Sequence, residues 1–366
     1  MHILVTVPWG ERLGGAEAML QAIVDGAQEG GHEVQFVFFE PGPWPAELRE
    51  AGFTVEVVHA GRLRDAHRWL ATVARLAAIF RRNQPQLIVN WAAKTHLYGS
   101  PAAVLAGMAD RVVWWQQMIP TGNWIDRAAT LLPARAIGCY SRAAAEAQAR
   151  IFPRRRTFVV SAGTPVPVPT ASAGVAPLEL PAQVPVVGLV GRLQPWKGQD
   201  RMLEAQALLR ERGHDIHLVI VGGDSYGLSP DYAASLPLLV QRLGLTDAVT
   251  MTGQVPDAGP YIEQMDILVN ASDPEPFGIV LLEAMAREVA VVAVDSGGPS
   301  EFIEHRTTGV LARSGEPHAL ADALEELLVS AELRTAIARA GRERFMRDFT
   351  DVALRRRFFS ELESLR

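Results

Sequence analysis

Short apolar runs alternate with amphipathic, helix-spaced segments along almost the whole of this chain, and that alternation confines it to one broad architecture. Ile3–Val7, Val34–Phe39, Thr54–Val58, Leu87–Asn90 and Val112–Trp115 are expected as buried strands, with helical patterns such as Ala16–Glu29 and Arg68–Arg82 between most of them. Strands that alternate with helices predict parallel sheets covered on both faces. The stretch Thr164–Pro185 breaks the rhythm. Pro165, Pro167, Pro169, Pro177, Pro181 and Pro185 stand in it without periodicity, as in an interdomain linker. The alternation then resumes, with strands expected at Val186–Val190, His217–Val221, Val249–Thr252, Ile267–Asn270 and Val289–Val294. Helices such as Asp200–Arg212, Ile279–Ala286 and Pro317–Leu328 follow most of them.

The 366 residues therefore divide into an α/β domain at 1–165, a linker at 166–185 and a second α/β domain at 186–344. Two such domains leave a cleft between them, and ligands in folds of this kind sit at the carboxyl ends of the strands. The last segment, Arg342–Arg366, is expected to be helical, with 345–366 packing back on the first domain.

Composition removes several classes. Hydrophobic residues at 48% and charged residues at 21% fit a globular enzyme rather than a disordered chain. A formal charge of −6 weighs against general nucleic-acid binding. The single cysteine, Cys139, has no intramolecular partner, which suits a reducing, cytoplasmic setting. The opening MHILVTVPWG lacks a basic leader and a long apolar core, so it reads as a buried strand rather than a signal peptide. No run approaches the roughly 20 apolar residues that a membrane-spanning helix needs. Lysine occurs only as Lys94 and Lys197 amid abundant arginine, so the setting of each lysine bears examination.

The segment GLVGRLQPWKG, Gly188–Gly198, follows a strand and precedes a helix that starts near Asp200. Free backbone N–H groups at such a helix start make an anion site. Arg192 adds a planar, multi-donor cation and Lys197 a point charge, enough to neutralise a diphosphate without a metal. The plainer reading is two surface cations on a loop. A second constellation, DPEPFGIVLLEAMA from Asp273, places Glu275 in a Pro/Gly turn and Glu283 inside the next helix. Helical spacing brings Glu283 about one turn inward of Ile279, near the same opening. Carboxylates there can accept hydrogen bonds from paired hydroxyls of a sugar or ribose. The structural alternative makes Glu275 a turn residue and Glu283 a solvated helix position, although Leu281, Leu282 and Met285 around Glu283 favour a lining position. In the first half, GERLGGAE from Gly10 brings glycine backbone to a helix start without the G-x-G-x-x-G spacing, and Glu17 there also suits the helix dipole.

Taken together, Gly14-Gly15, G-R-L-x-x-x-K-G at Gly191–Gly198 and E-P-F-G-x-x-x-x-E at Glu275–Glu283 resemble the GT4 family of retaining glycosyltransferases with the GT-B fold. Leu218–Asp224 (LVIVGGD), Thr252–Pro256 (TGQVP) and Gly297–Glu301 (GGPSE) fall in the matching order. The resemblance spans nearly the whole chain and is strongest from 186 to about 312. It implies two Rossmann-like βαβ domains whose parallel sheets face each other across a cleft. It further implies that Arg192 and Lys197 hold the donor diphosphate, helped by backbone at Gly14, Gly15, Ile279 and Val280. Glu283 would bind the ribose, and Glu275, Pro276, Phe277 and Gly278 the transferred sugar, with His96 as a candidate neighbour. Gly222, Gln254 and Val255 would meet the base. The reaction so implied transfers a hexose from a nucleoside-diphosphate sugar, UDP first and GDP-mannose next, to a sugar, lipid-linked or small-molecule hydroxyl. Displacement on one face of the donor, assisted by the leaving diphosphate, needs positioning and electrostatics rather than a protein nucleophile.

One departure stands out. Many relatives place a histidine after the strand that here ends VVWWQQ, whereas this chain has Gln116 and Gln117. Gln117 joins Arg192, Lys197 and Glu275 as a candidate catalytic group, but a glutamine does not titrate. No D-x-D pair and no H-x-x-x-H occur, so no metal or other cofactor is expected, and His214 and His217 are expected at the surface. The basic segment Arg62–Arg82, with Trp69, Val73, Leu76 and Phe80 at helical spacing, reads first as a domain helix. Peripheral contact with the inner membrane face is its alternative. Trp114, Trp115 and Trp124 fit either core packing or stacking on an acceptor. Against the leading function stand a nucleotide-sugar epimerase, an inverting transferase of the same fold, and a non-catalytic nucleotide-sugar-binding subunit. The sequence assigns no oligomeric state.

Overall fold

A computed structural model describes every residue except Leu13, Glu29, 169–177, Ala182, Ser225 and Tyr226. The chain forms two compact units, one of Met1–Ala162 with Asp351–Arg366 and one of Gly163–Thr350. Much of the proline-rich stretch 166–185 lies outside the described residues, and its described parts group with the second unit.

The first unit holds a seven-stranded sheet: β1 His2–Val7, β2 Glu33–Phe38, β3 Thr54–Val57, β4 Leu87–Asn90, β5 Val112–Gln116, β6 Ala136–Cys139 and β7 Thr157–Val159. Its order is β3-β2-β1-β4-β5-β6-β7, and every pairing is parallel. The second unit holds six strands: β8 Val186–Val190, β9 His217–Val221, β10 Val249–Gly253, β11 Ile267–Asn270, β12 Ala290–Val294 and β13 Val310–Ala312. Their order is β10-β9-β8-β11-β12-β13, again all parallel. In each sheet the chain first winds outward in one direction and then crosses back to wind in the other. The reversal falls between β1 and β4 in the first unit and between β8 and β11 in the second. Loops that leave the carboxyl ends of those neighbouring strands diverge, and the gap between them is where doubly wound sheets receive ligands.

The central strands of both sheets are buried on two faces and run nearly continuously apolar, as in β8, β11 and β12, whereas the edge strands β3 and β10 are partly exposed. Strands β6, β7 and β13 carry no periodic signal that sequence reading had used; β6 is the run Ala-Ile-Gly-Cys and passes easily for loop. Trp114 and Trp115 on β5 are fully buried, one on each face. Trp115 stacks on Trp91 at 5.0 Å and Trp114 on His96 at 5.0 Å, which settles both tryptophans as core. The helix Ala66–Asn83 buries Val73, Leu76 and Phe80 and leaves Arg68, Arg75, Arg81 and Arg82 in water, the ordinary amphipathic arrangement. No helix among the described residues is long and apolar enough to cross a membrane.

The carboxyl-terminal segment is two helices, Ala331–Asp348 and Asp351–Ser364, not one that starts at Arg342. Phe349 interrupts them: its ring packs against Phe302 and Phe277, and its carbonyl accepts from the Thr164 amide at 3.1 Å. The final helix belongs to the first unit. Arg355 donates to the Ala22 carbonyl, Phe359 stacks on His32, and Phe358 meets Trp91 and Trp115.

Candidate active site

In the second unit, three loops are sewn together at the switch point. The amide of Gly191, just past β8, donates to Val221, and that of Leu193 donates to Gly223. Gly222 lies so close that a Cβ on it would stand 2.0 Å from the Gly191 carbonyl oxygen, and its φ is +141°. Glycine is the residue that meets both demands. Pro195–Lys197 then makes one turn of 3₁₀ helix, and Gly198, at φ +73°, opens the helix Gln199–Glu211. A Cβ at Gly198 would sit 2.6 Å from the Ala271 carbonyl oxygen, so the β8 loop rests on the loop that leaves β11. Asp273 completes the seam by donating its amide to Trp196.

That contact delivers Lys197 to Glu275. The ammonium lies 2.7 Å from Oε2, with the two side chains 18% and 7% exposed. Nζ also stands 4.1 Å from the centre of the Trp196 ring. Asn270 donates to the same carboxylate oxygen at 3.2 Å. Burial pushes the Glu275 carboxyl upward, but the Lys197 charge and hydrogen bonds from Lys197, Ser272 and Asn270 outweigh it, and the group stays below the usual carboxylate range. The backbone of Glu275 is fixed as well: Gly298 donates to its carbonyl at 2.8 Å, and a Cβ on Gly298 would strike the Phe277 Cα at 2.4 Å.

Groups with spare hydrogen-bonding capacity lie on the same β8 loop and on the turn and helix that follow Glu275. The Arg192 guanidinium, half-buried, makes no hydrogen bond or ion pair to a described residue. The amides of Phe277, Gly278, Ile279 and Val280 donate to no described residue either, since Gly278 at φ +92° turns the chain into the helix Ile279–Ala286. Glu283, half-buried on that helix, accepts no hydrogen bond at its carboxylate from a described residue. Burial drives its carboxyl up to about 7, with Arg287 opposing and Asp257 adding. The folded state therefore binds the proton more tightly than the unfolded chain, and stability falls as pH rises from 4.5 to about 7. Glu283→Gln is accordingly expected to raise the melting temperature at pH 8 and to leave it nearly unchanged at pH 4. Equal effects at both values would remove the buried-carboxyl account. Gly223 lies against Gln254, Gly222 donates its amide to the Gly253 carbonyl, and Val255 is half-buried.

So Lys197 and Glu275 meet directly, while the Arg192 guanidinium, the Glu283 carboxylate and the amides of 277–280 make no hydrogen bond to a described residue. Among the described residues no group of three or more His, Cys, Asp and Glu is placed to hold a metal.

The first unit changes several expectations. Gly14 and Gly15 open the helix Gly15–Val24, with Glu17 buried beneath. Gln117 donates through its side-chain amide to the Trp91 carbonyl, and Gln116 is buried against Gln148. His96 is corrected: the helix Ala93–Ala106 turns it into the core, where it is fully buried between Asn90 and Trp114. Burial pulls its pKa down to about 3, so the ring is neutral and has no surface to offer a sugar. His217 is corrected too. It begins β9 inside the sheet, buried, with Nε2 2.8 Å from the Thr250 hydroxyl, whereas His214 is half-buried beside Glu325. Sequence reading missed a cluster at the β1/β4 switch point. There Lys94 lies 2.9 Å from Glu40 and 4.7 Å from the centre of the Trp9 ring. Both lysines of the chain thus sit at a sheet reversal, over a tryptophan and against a glutamate. The near-absence of lysine was the signal that pointed to them.

Comparison with known proteins places the family and the fold. The family model for glycosyl transferases group 1 matches residues 175–344, and that for a glycosyl transferase 4-like domain matches 14–164. The lipopolysaccharide core biosynthesis glycosyltransferase LpsE of Rhizobium meliloti (strain 1021) is 26% identical over 351 residues, 93% of each chain. A GDP-mannose-dependent alpha-(1-6)-phosphatidylinositol monomannoside mannosyltransferase of Mycobacterium tuberculosis (strain CDC 1551 / Oshkosh) is 36% identical over 168 residues, 43% of this chain and 42% of that one. The crystal structure of Anabaena HepE in complex with UDP superposes with a TM-score of 0.83 at 26% identity, covering 100% of both chains.

Proposed function

Because this chain belongs to the group 1 glycosyltransferases, the GT4 family with the GT-B fold, and so draws on a nucleotide-sugar donor, we propose that it is a retaining hexosyltransferase whose donor is held in the second unit. The observation that carries this reading is the Lys197–Glu275 pair, with four amides and a guanidinium on the adjoining loops that have no hydrogen-bond partner among the described residues. A diphosphate supplies what those donors lack. Arg192 and the amides around Ile279 bind its oxygens, and Lys197 turns part of its charge from Glu275 to the phosphate as the bond to the sugar breaks. Glu275 and the amides of Phe277 and Gly278 hold the sugar hydroxyls, Glu283 the ribose diol, and Gly222, Gln254 and Val255 the base.

Glu275 is already tied to Lys197 and Asn270, which suits a hydrogen-bond acceptor better than a nucleophile. The acceptor hydroxyl then attacks on the face the diphosphate leaves, gives its proton to a departing phosphate oxygen and forms an α-glycoside from an α-linked donor. Two cations at the diphosphate take the place of a metal. Whole-length likeness to HepE, solved with UDP and with UDP and glucose, favours a UDP-hexose. The mycobacterial relative keeps GDP-mannose second. LpsE points to a carbohydrate acceptor such as a lipopolysaccharide core.

A thermal-shift screen with UDP, GDP and their sugars is expected to raise the melting temperature with the true carrier. Arg192→Ala should weaken that carrier's binding about tenfold, as loss of charge-assisted hydrogen bonds does. Proton NMR of the product's anomeric centre checks the stereochemistry, and a β-linkage from an α-donor would sink the retaining assignment.

A further inference from the structure

We infer that a cavity in the first unit binds the apolar part of a single anionic amphiphile, with Arg64 taking its charged group. The cavity measures about 400 Å³, and Leu63, Trp69, Leu97, Pro101, Trp124 and Leu132 wall it beside Arg64. It lies where the loop after β3 meets the helices Ala66–Asn83, Ala93–Ala106 and Trp124–Leu131. The Trp69 indole N–H is spent on the Leu97 carbonyl at 3.3 Å, so that ring offers the cavity carbon. Trp124 is 68% exposed, while the other seven tryptophans are buried or half-buried. Its backbone is nonetheless held firmly, because Asn123 caps the helix by accepting from the amides of Ile125 and Asp126. A large ring kept in water on a rigid helix start, next to an apolar hollow, is a surface made to be covered.

Chemistry selects the occupant. A saccharide carries a hydroxyl on almost every carbon, and these walls would leave most of them unpaired at a cost for each. An alkyl or aryl group gives up no hydrogen bond and gains burial. The volume lies in the range of small-molecule sites, roughly 300 to 1,000 Å³, which suits one inserted molecule. Arg64 is exposed and makes no hydrogen bond or ion pair with a described residue, and no acidic side chain lines the cavity. A guanidinium so placed favours a phosphate monoester or carboxylate at the mouth. The inference deepens the function proposed above and rests on it in one respect, that the molecule is the sugar acceptor. The acceptor would then be an anionic, lipid-linked or aryl compound.

Octyl phosphate, kept below its micelle-forming concentration, tests the site on the full chain through tryptophan fluorescence and calorimetry. Saturable binding is expected, with the fluorescence change reduced to the share of Trp69 in Trp124→Phe while calorimetric binding persists. Arg64→Ala should weaken binding about fivefold, the worth of a well-placed ion pair at a surface. Ala128→Trp, which puts a large ring into the cavity from one of its lining positions, should abolish it. UDP affinity measured on the same samples should stay at the parent value in all three variants and certifies their fold. A parent that binds UDP or GDP but not octyl phosphate overturns this inference alone, whereas binding of octyl phosphate with neither UDP nor GDP overturns the donor site and spares the cavity. Octyl phosphate binding that survives Ala128→Trp also overturns it. So does a chain that sediments with phosphatidylcholine–phosphatidylglycerol vesicles yet ignores the monomer, since that would mean surface docking.

Discussion

Lys197→Ala is expected to lower kcat/KM by about 10²- to 10³-fold, the usual loss when a donor aimed at developing negative charge is removed. A second effect should accompany it. With the ammonium gone, burial is the largest influence left on Glu275, and its carboxyl rises instead of lying below the usual range. The variant then holds either an uncompensated buried carboxylate or a neutral acid, and the fold should lose about 3 kcal/mol near neutral pH. In the parent, the depressed Glu275 pKa stabilises the fold above the unfolded value of 4.5, and that contribution fades as pH falls through the folded pKa. The deficit of Lys197→Ala should therefore be widest at pH 7 to 8 and narrow in acid. Denaturant titrations at both ends of that range check this, and adding Glu275→Gln should restore part of the stability but none of the activity. A variant as stable as the parent at every pH would mean that the two side chains do not meet as described.

Gly222→Ala is the second large effect. Its new Cβ would need the space of the Gly191 carbonyl oxygen, at 2.0 Å, in a backbone conformation of φ +141° that alanine avoids. The obstacle is backbone on both sides, so no rotamer change relieves it. A loss of about 3 to 5 kcal/mol is expected from strain and displaced packing together. The same shift would move Arg192, one residue beyond Gly191, and open the seam to β9, so nucleotide binding should fail in whatever fraction folds. Gly213→Ala makes a useful control. Gly213 also has positive φ, at +87°, but nothing lies within 4 Å of its would-be Cβ. It should cost about 1 kcal/mol and leave nucleotide affinity intact. Equal losses at the two positions would place the cost in backbone conformation alone and refute the close approach.

Much of the proposed donor site was legible because its parts are local. A glycine, a cation and a helix start in one short loop define an anion site before any folding, and the same holds for the turn from Asp273 to Gly278. Side-chain direction was not local. Lys94 and His96 stand two apart on one helix, about 200° around its axis, and only packing against β5 decides that the lysine faces out and the histidine in. Trp114 and Trp115 posed the same question on a strand. There both faces turned out to be covered, which a run of apolar residues alone does not reveal.

The amino-acid order by itself determined two doubly wound α/β units, the loops that carry chemistry and the glycines those loops require, because strand burial, helix starts and tight turns are short-range matters. Only the tertiary structure decided that Lys197 pairs with Glu275, 78 residues away, that Phe349 splits the last helix, and that Lys94 and Arg64 stand beside tryptophans in the first unit. Those outcomes depend on which strands become neighbours where a sheet reverses, and that ordering is a property of the packed whole.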